Sequence, residues 1–442
     1  MKIHFSGVGG IGISALARYF LSNGCKVSGS DIDESALIKE LKNEGISWVS
    51  PNENFSSDTD LHIYSEAVPK NDIQRIFSKD QGIKSISYFK ALGEISEIHK
   101  TIAICGTHGK STTTAMIGIA MKNLEQNALT IVGTKVREFN GKNVYLSKNR
   151  FWASQNDHDK WFIVEACEYR ENFLHILPFG IVLLNCEWDH IDYYKTFESY
   201  KNAYIKFIKK IPKDGFLVAN FDDEIVREIA GNADCKIIPV YLSKIKNHIK
   251  LKVLGWFNQL NAELAKSALI ETIGKEKQNE IISSLEKYAG AWRRFDILRE
   301  KDGITVIDDY AHHPTEIIAT LGSLEKYKDK HIIIVFQPHQ YSRTLELFDG
   351  FVKSFDSLKS FKHKLFITDI YEARDSDEDK ALVSSQKLVE NILKRGVDAE
   401  YSGNYESTLI KVNNIILPNT LLLTMGAGPV NEVSENFLKS II

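Results

Sequence analysis

The stretch Thr101-Ile-Ala-Ile-Cys-Gly-Thr-His-Gly-Lys-Ser-Thr112 decides the fold class. An apolar run typical of a buried strand leads into a glycine loop from Gly106 to Thr112, and a helical pattern continues to Leu124. In such a loop, backbone N–H groups wrap phosphate oxygens, Lys110 neutralises β/γ charge and the Ser111 hydroxyl ligates Mg²⁺. Ile104 stands where the strict GxxxxGK[ST] pattern has its first glycine, so the spacing is GTxGK[ST]T. The pattern predicts a nucleoside-triphosphate site.

The other glycine loop, Gly7-Val-Gly-Gly-Ile-Gly12, lies near the start of the chain; it is the first glycine loop along the chain, and Gly106–Thr112 is the second. It follows the short apolar run Ile3–Ser6 and precedes an amphipathic stretch that continues to Leu21, and Asp31 follows at the spacing of a ribose-binding acid. Glycines here allow a close approach to a diphosphate. Taken alone, the loop is typical of an NAD site, although any nucleotide diphosphate meets the same physics and a tight turn without a ligand is the alternative.

Strand-like runs alternate with helical patterns along the rest of the chain. A third strand–turn–helix unit comprises Ile304–Ile307, Asp308–Tyr310 and a predicted helix from Pro314 to Tyr327. Further buried-strand candidates are Trp161–Val164, Ile181–Leu184, His331–Phe336, Leu365–Thr368 and Thr420–Thr424. Such alternation predicts an α/β protein with three parallel sheets.

Composition limits the class of protein further. The chain has 442 residues, roughly three domains' worth, with 43% hydrophobic and 26% charged residues. Its 55 basic and 58 acidic residues give a net charge of −3, which indicates neither nucleic-acid nor membrane binding. Scattered cysteines and a start without a signal-type apolar core favour a cytoplasmic protein. Polar segments at Ser96–Lys100 and Arg299–Gly303 are interpreted as hinges.

An ordered set of motifs resembles the Mur ligases of peptidoglycan synthesis over essentially the whole chain. The set consists of Gly7–Ser14, Gly106–Thr112, Glu165-Ala-Cys-Glu168, Asn185–Tyr194, Asn258–Ala262, Arg293-Arg294-Phe295, Asp308–Glu316, Phe336–Thr344 and Thr424–Gly428. The resemblance is strongest to the alanine-adding branch of the family.

This resemblance implies a three-domain architecture in which Rossmann-like N- and C-terminal domains flank a P-loop ATPase domain. The expected ranges are 1–97 for the UDP-sugar, 98–299 for ATP and 300–442 for the amino acid. The implied reaction joins L-alanine to UDP-N-acetylmuramate with ATP and Mg²⁺, through an acyl phosphate that gives ADP and phosphate. Because water would destroy that intermediate, domain closure fits the chemistry. A monomer or weak homodimer is expected.

The resemblance also assigns site residues. Lys110 holds the β/γ-phosphates, Ser111 and Glu165 serve one Mg²⁺, and His190 ligates a second; on its residue type alone, His190 is more typical of a structural histidine. The expected ATP-binding set is Gly106, Thr107, His108, Gly109, Lys110, Ser111, Thr112, Asn258, Arg294 and Asp309. The expected UDP-sugar set is Gly9, Gly10, Ile11, Gly12, Ser14, Asp31 and Ser65. The expected amino-acid set is Tyr310, His312 and Arg343, with Arg343 clamping the carboxylate.

Several positions depart from the family pattern. Gln340 stands where many alanine-adding relatives have a second arginine, and Cys167 replaces the usual aspartate. Phe257 replaces the histidine before Asn258. Tyr204 occupies the position where other branches carry a carbamoylated lysine, so no carbamate is expected there. These departures leave the ATP chemistry intact and put the identity of the amino acid in question.

Three other functions compete with this one. A recycling ligase that attaches a tripeptide to UDP-N-acetylmuramate shares the His-His-Pro segment but lacks the segments around Phe336–Thr344 and Thr368–Tyr371. A non-catalytic nucleotide-sugar sensor would retain the fold, but the intact Lys110, Glu165 and His190 argue against it. A dehydrogenase rests only on the first glycine loop and has no use for a triphosphate loop.

Overall fold

The computed structural model describes residues 1–147, 160–373 and 375–441. The chain divides into two compact units, one formed by residues 1–252 and 259–289 and the other by residues 253–258 and 290–442. The first unit contains two of the sheets and the second unit contains one. The three predicted domain ranges stay predictions.

The N-terminal sheet is wholly parallel, with the strand order β3-β2-β1-β4-β5 within the described residues. Its strands are β1 (Lys2–Ser6), β2 (Lys26–Ser30), β3 (Ser47–Trp48), β4 (Leu61–Tyr64) and β5 (Lys84–Ser87). Its helices are α1 (Ile11–Ser22), α2 (Ala36–Asn43), α3 (Ile73–Asp80) and α4 (Tyr88–Ser96). The first glycine loop connects β1 to α1 at the carboxyl edge of the sheet, where α/β proteins bind ligands.

The central sheet has the order β12-β11-β10-β6-β9-β7-β8. Its strands are β6 (Lys100–Cys105), β7 (Ala128–Val136), β8 (Lys142–Leu146), β9 (Trp161–Glu165), β10 (Gly180–Leu183), β11 (Phe216–Asn220) and β12 (Lys236–Val240). The helices of this part of the chain are α5 (Lys110–Asn123), α6 (Phe197–Ile208), α7 (Glu224–Ala230), α8 (Trp256–Ile273) and α9 (Gln278–Leu285), with 3₁₀ turns at Arg137–Phe139, Tyr169–His175, Leu242–Lys244 and Lys275–Lys277. The inner strands β6 and β10 are almost fully buried, which explains their continuous apolar sequences.

The C-terminal sheet has the order β13-β14-β18-β15-β16-β17. Its strands are β13 (Asp296–Lys301), β14 (Ile304–Asp309), β15 (His331–Phe336), β16 (His363–Thr368), β17 (Ala399–Gly403) and β18 (Thr420–Met425). Its helices are α10 (Pro314–Gly322), α11 (Tyr341–Glu346), α12 (Phe348–Ser354), α13 (Asp377–Leu382), α14 (Ser385–Lys394), α15 (Tyr405–Ile415) and α16 (Asn431–Ser440), with 3₁₀ turns at Ser323–Tyr327 and Asp356–Ser360.

The predicted parallel sheets are confirmed, apart from one antiparallel edge strand in the central sheet and one in the C-terminal sheet. Strands β7 and β8 pair antiparallel, as do β13 and β14. The turn dipeptides Asn140-Gly141 and Asp302-Gly303 both take positive φ, as tight hairpin turns require. The segment Arg299–Gly303, interpreted as a hinge, is therefore the end of β13 and its turn.

The predicted helix from Pro314 to Tyr327 also differs, because α10 ends at Gly322 and a 3₁₀ turn follows. Glycine weakens the helix at that point, and the Ser323 hydroxyl donates a hydrogen bond back to the Ala319 carbonyl. Elsewhere, no helix among the residues described is long and apolar enough to span a membrane.

Candidate active site

The second glycine loop connects β6 to α5 and surrounds the Lys110 ammonium. Gly106 and Gly109 have φ of +140° and +86°, which favour glycine. Lys110 Nζ donates to the Gly106 and Thr107 carbonyls at 2.5 and 3.0 Å. A Cβ on Gly109 would lie 2.7 Å from Asn261 Oδ1, so the loop packs closely against α8. The loop thus has the backbone shape that a phosphate chain needs.

Side chains around this loop hold it from behind. The Asn185 amide accepts from the His108 N–H at 2.8 Å and donates to the His108 carbonyl at 3.1 Å. The Thr107 hydroxyl donates to the Glu187 carbonyl at 2.7 Å and accepts from the Glu187 N–H at 2.9 Å. His108 Nε2 lies 3.0 Å from a Glu187 carboxylate oxygen. Two of the segments that resemble the family, Gly106–Thr112 and Asn185–Tyr194, therefore meet here.

Oxygen atoms suited to a divalent cation lie at the start of α5. Ser111 Oγ donates to Glu165 Oε2 at 3.1 Å, and the other carboxylate oxygen accepts from the Gly133 N–H. A hydroxyl and a carboxylate are the ligand types that Mg²⁺ prefers. The predicted pair Ser111 and Glu165 is brought together, and its donors fit the ion.

Beside this pair lies a buried carboxylate to which sequence reasoning assigned no role. The Glu168 side chain is 1% exposed, and Lys110 Nζ lies 3.0 Å from both of its oxygens. His190 Nε2 is 3.4 Å from Glu168 Oε1. Burial alone would raise the pKa of Glu168, but Lys110 and then His190 outweigh it, so the pKa lies below its usual value. The same attraction raises the pKa of Lys110 despite its burial.

The first glycine loop is held by Asp31 and bordered by Tyr88. Asp31 Oδ2 accepts from the Gly9 N–H at 2.8 Å. A Cβ on Gly12 would lie 2.9 Å from the Tyr88 hydroxyl, and one on Gly7 would lie 2.9 Å from Ser65 Cβ. Of the predicted UDP-sugar residues, Gly9, Gly10, Ile11, Gly12, Asp31 and Ser65 thus lie at or beside this loop.

Ser14 is placed differently from the other predicted sugar ligands. It is fully buried, its hydroxyl donates to the Ile11 carbonyl at 2.9 Å, and it accepts from Asn143 of β8 at 3.2 Å. Arg18, one turn further along α1, also contacts Asn143, at 2.8 Å. This face of α1 therefore packs against β8 of the central sheet.

In the second unit, a buried acid at the end of β14 lies near one arginine and one tyrosine. Asp309 accepts from the Ala311 N–H at 2.9 Å and from the Thr320 hydroxyl at 3.1 Å. Burial raises the pKa of Asp309 to about 7, against the opposing pull of Arg294. Arg294 lies over the Tyr310 ring, 5.0 Å from its centroid. The predicted trio Asp309, Arg294 and Tyr310 is therefore local to one corner.

Arg293, the neighbour of Arg294, was missed as a key residue. It is 4% exposed and bonds Asp308 at 2.8 Å, together with the Gly428 and Gly426 carbonyls at 2.8 and 2.6 Å. It thereby ties the Thr424–Gly428 motif to β14. The sequence signal was the Arg-Arg pair, which does not show which arginine is buried.

His339 lies between two of the predicted amino-acid residues, His312 and Arg343. The ring of His312 lies 6.0 Å from that of His339, and Arg343 Nη1 is 3.2 Å from His339 Nδ1. His339 also stacks on Tyr371 at 5.4 Å. His339 and Tyr371 were not predicted to belong to this corner, although both lie in motifs that the sequence displays.

Gln340 is a structural residue in this corner. It is 7% exposed, has φ of +70°, and its side-chain nitrogen donates to the Ala373 carbonyl at 2.9 Å. Its backbone N–H donates to the Tyr371 carbonyl at 2.8 Å. The amide side chain therefore holds the loop after β16. Arg343 lies beside His339 in this corner.

Two other departures from the family pattern, Cys167 and Tyr204, and the predicted adenine-side Asn258 have well-defined surroundings. Burial, with Glu168 nearby, raises the pKa of Cys167 to about 12, so this position carries a neutral thiol. Tyr204 is fully buried and its hydroxyl lies 3.1 Å from that of Tyr200, while Lys206 is exposed and pairs with Glu171. Asn258 is buried in the second unit, where its side chain donates to the Leu254 carbonyl.

Three family models match successive parts of the chain. The Mur ligase family, catalytic domain, matches residues 2–100, the Mur ligase middle domain matches residues 104–285, and the Mur ligase, glutamate ligase domain, matches residues 293–428. The chain belongs to the Mur ligase family.

Similarity to particular members runs over nearly full length. The chain is 39% identical to the UDP-N-acetylmuramate–L-alanine ligase of Clostridium kluyveri, covering 99% of this chain and 98% of that one. The enzyme of the same name from Clostridium acetobutylicum is 38% identical, with 99% and 97% covered. Among solved structures, the UDP-N-acetylmuramate-alanine ligase of Thermotoga maritima matches with a TM-score of 0.77 and 25% identity, covering 100% and 99% of the two chains.

Proposed function

We propose that the protein joins L-alanine to UDP-N-acetylmuramate in the cytoplasm, using ATP, as a step of peptidoglycan precursor synthesis. The single observation that carries the proposal is the constellation of Lys110, Ser111 and Glu165 around a glycine loop, in a chain 39% identical to an L-alanine ligase over 99% of its length. The constellation supplies the triphosphate chemistry, and the similarity supplies the substrates.

The chemistry follows from the poor reactivity of a carboxylate. The lactyl carboxylate attacks the γ-phosphorus of ATP, the bond to ADP breaks, and an acyl phosphate forms. The alanine amine then attacks the acyl carbon, phosphate leaves, and the amine gives up a proton. Lys110 neutralises charge on the transferred phosphoryl group, and the loop N–H groups orient it.

Ser111 and Glu165 would hold Mg²⁺, which neutralises phosphate charge when bound, and His190 is the proposed ligand for a second ion. The Arg343 guanidinium is the proposed clamp for the alanine carboxylate, because its planar fork matches a carboxylate. The first glycine loop, with Asp31, is the proposed UDP-sugar site. We propose a monomer or weak homodimer.

Phosphate release from ATP tests the proposal directly. Purified protein would be given UDP-N-acetylmuramate with alanine, serine, glycine or the tripeptide, one acceptor at a time. Alanine should give the highest kcat/KM. A preference for the tripeptide would transfer the assignment to the recycling ligase, and tight ATP binding without turnover on any acceptor would favour the sensor.

A variant separates the two nucleotide sites. Lys110→Ala should abolish turnover while leaving UDP-sugar binding nearly unchanged, because Lys110 belongs to the second glycine loop alone. Binding of UDP-N-acetylmuramate measured by calorimetry provides the comparison. Equal loss of turnover and of sugar affinity would contradict the separation of roles.

A further inference from the structure

The Glu168 carboxylate contacts both Lys110 and His190. Lys110 Nζ is 3.0 Å from each carboxylate oxygen, and His190 Nε2 is 3.4 Å from one of them. Lys110 belongs to the phosphate loop and His190 follows β10 by several residues, so Glu168 connects two segments far apart in the sequence.

Burial of a carboxylate at this place destabilises the fold unless a neighbouring group compensates its charge. Removing a carboxylate from water is unfavourable, and pairing with a cation offsets that cost only when the geometry is good. Glu168 is 1% exposed, whereas Lys110 and His190 are 18% and 21% exposed. The carboxylate therefore lies beneath its two partners, on the protein side of the site, and they lie between it and the solvent.

The surroundings of Glu168 hold it rigidly. The Tyr200 hydroxyl lies 3.4 Å from Glu168 Oε1 and 3.0 Å from the Thr107 hydroxyl of the loop. The Tyr194 hydroxyl donates to the Glu168 carbonyl at 2.5 Å. Immediately after Glu168, Arg170 and Glu171 take positive φ of +53° and +57°, which turns the chain sharply. Both the side chain and the backbone of Glu168 are thus fixed.

We propose that Glu168 is a positioning residue that sets the places of Lys110 and His190 together. This inference rests on the proposed function, because it assigns Lys110 to the transferred phosphoryl group and His190 to a metal ion. A lysine side chain has a long flexible stem, and without Glu168 the hydrogen bonds left to the Lys110 ammonium within the described part of the chain are those to the Gly106 and Thr107 carbonyls. His190 would lose its contact with the same carboxylate.

The test is Glu168→Gln, which keeps the shape and removes the charge, with Glu198→Gln on the exposed face of α6 as the matched control. Mutation of a residue that orients a catalytic or metal-binding group typically lowers activity or metal affinity by ~10–100-fold. We expect kcat to fall by that factor and the Mg²⁺ concentration for half-maximal rate to rise by ~10-fold. The KM for UDP-N-acetylmuramate should stay within about twofold of the wild-type value, since the first glycine loop is untouched.

Two further variants test the role of Glu168 if Glu168→Gln does not fold. Glu168→Asp retains the charge and should recover part of the loss. Tyr200→Phe removes only the hydroxyl beside Glu168 and should lower kcat by ~3–10-fold, as the loss of about one hydrogen bond does. Unchanged kcat and Mg²⁺ dependence in Glu168→Gln, or unchanged kcat in Tyr200→Phe when the former does not fold, would overturn the proposal.

The affinity for Mg-ATP separates this proposal from the proposed function. If the wild-type protein turns over no acceptor, the proposed function fails, while Glu168→Gln should still weaken Mg-ATP binding by ~10-fold in calorimetry. Wild-type affinity in that variant would overturn the positioning role on its own. If the wild-type protein uses an acceptor other than alanine, the expected changes in kcat and in Mg²⁺ dependence of Glu168→Gln apply with that acceptor.

Discussion

Acidification should weaken the N-terminal sheet selectively, because two histidines are buried there without charged hydrogen-bond partners. His4 of β1 and His62 of β4 are both fully buried. The His4 ring nitrogens bond Ser28 at 2.9 Å and Gln74 at 3.0 Å, and those of His62 bond Ser6 and Ser85 at 2.9 and 3.0 Å. The partners are neutral hydroxyls and an amide, so the neutral rings are the form that the fold accommodates.

The sign and size of the effect follow from the two pKa values. Burial lowers the pKa of His4 to about 4 and that of His62 to about 3, from 6.5 for an ordinary histidine. As the pH falls below 6.5, the unfolded chain binds protons that the folded sheet does not, so stability present above pH 6.5 is lost. At pH 5, each histidine should cost about 2 kcal/mol, or about 4 kcal/mol for the pair.

Hydrogen exchange read by mass spectrometry measures this region by region. After correction for intrinsic rates, protection of β1 and β4 should fall by ~10²–10³-fold between pH 7.5 and pH 5, as about 4 kcal/mol requires, with β18, which carries no histidine, as the internal control. His62→Gln should remove about half of the pH dependence, since glutamine does not titrate. Unchanged protection of β1 at pH 5, or an equal fall in β18, would refute the reasoning.

Three substitutions test other parts of the site. Gly109→Ala combines φ of +86° with a Cβ 2.7 Å from Asn261, and its strain of about 1–3 kcal/mol should weaken ATP binding by ~10–100-fold in calorimetry; Gly82→Ala, at φ of +68° with open space around it, is the control and should leave ATP affinity unchanged. Arg343→Lys loses the planar fork and should raise the KM for alanine by ~10–100-fold in steady-state assays, a loss of about 1.5–3 kcal/mol; an equal rise in the KM for ATP would contradict its assignment. Arg293→Ala leaves Asp308 buried without its cation and should destabilise the C-terminal unit by about 3–5 kcal/mol in urea unfolding, whereas a loss below about 1 kcal/mol would show that the pair contributes little.

Local signals explain what the sequence could predict. The strand, glycine loop and helix around Gly106–Thr112 are contiguous, so spacing alone places Lys110 and Ser111 at a helix N-terminus. The same holds for β15, predicted over His331–Phe336 and found at those residues. The antiparallel edges were missed although Asn140-Gly141 and Asp302-Gly303 carry the hairpin signal, because the strands beside them lack a clear apolar alternation.

Long-range packing determines the features that could not be predicted from the sequence. The partners of His4 include Gln74, seventy residues away, and nothing near either residue indicates that they meet. Glu168 stands in a recognisable motif, but only tertiary packing shows that it is buried beneath Lys110. The positive φ of Gln340 and its hydrogen bond to the Ala373 carbonyl likewise depend on the loop after β16, which the sequence around Gln340 does not indicate.

The proposed function depends on activation of the carboxylate of UDP-N-acetylmuramate by phosphorylation. Substrate carrying ¹⁸O in the lactyl carboxylate would be incubated with ATP and alanine, and the released phosphate analysed by mass spectrometry. If the acyl phosphate forms, each phosphate retains one carboxylate oxygen, so the label in phosphate should match the enrichment of the carboxylate. Unlabelled phosphate, formed at the same rate as the amide product, would contradict the account.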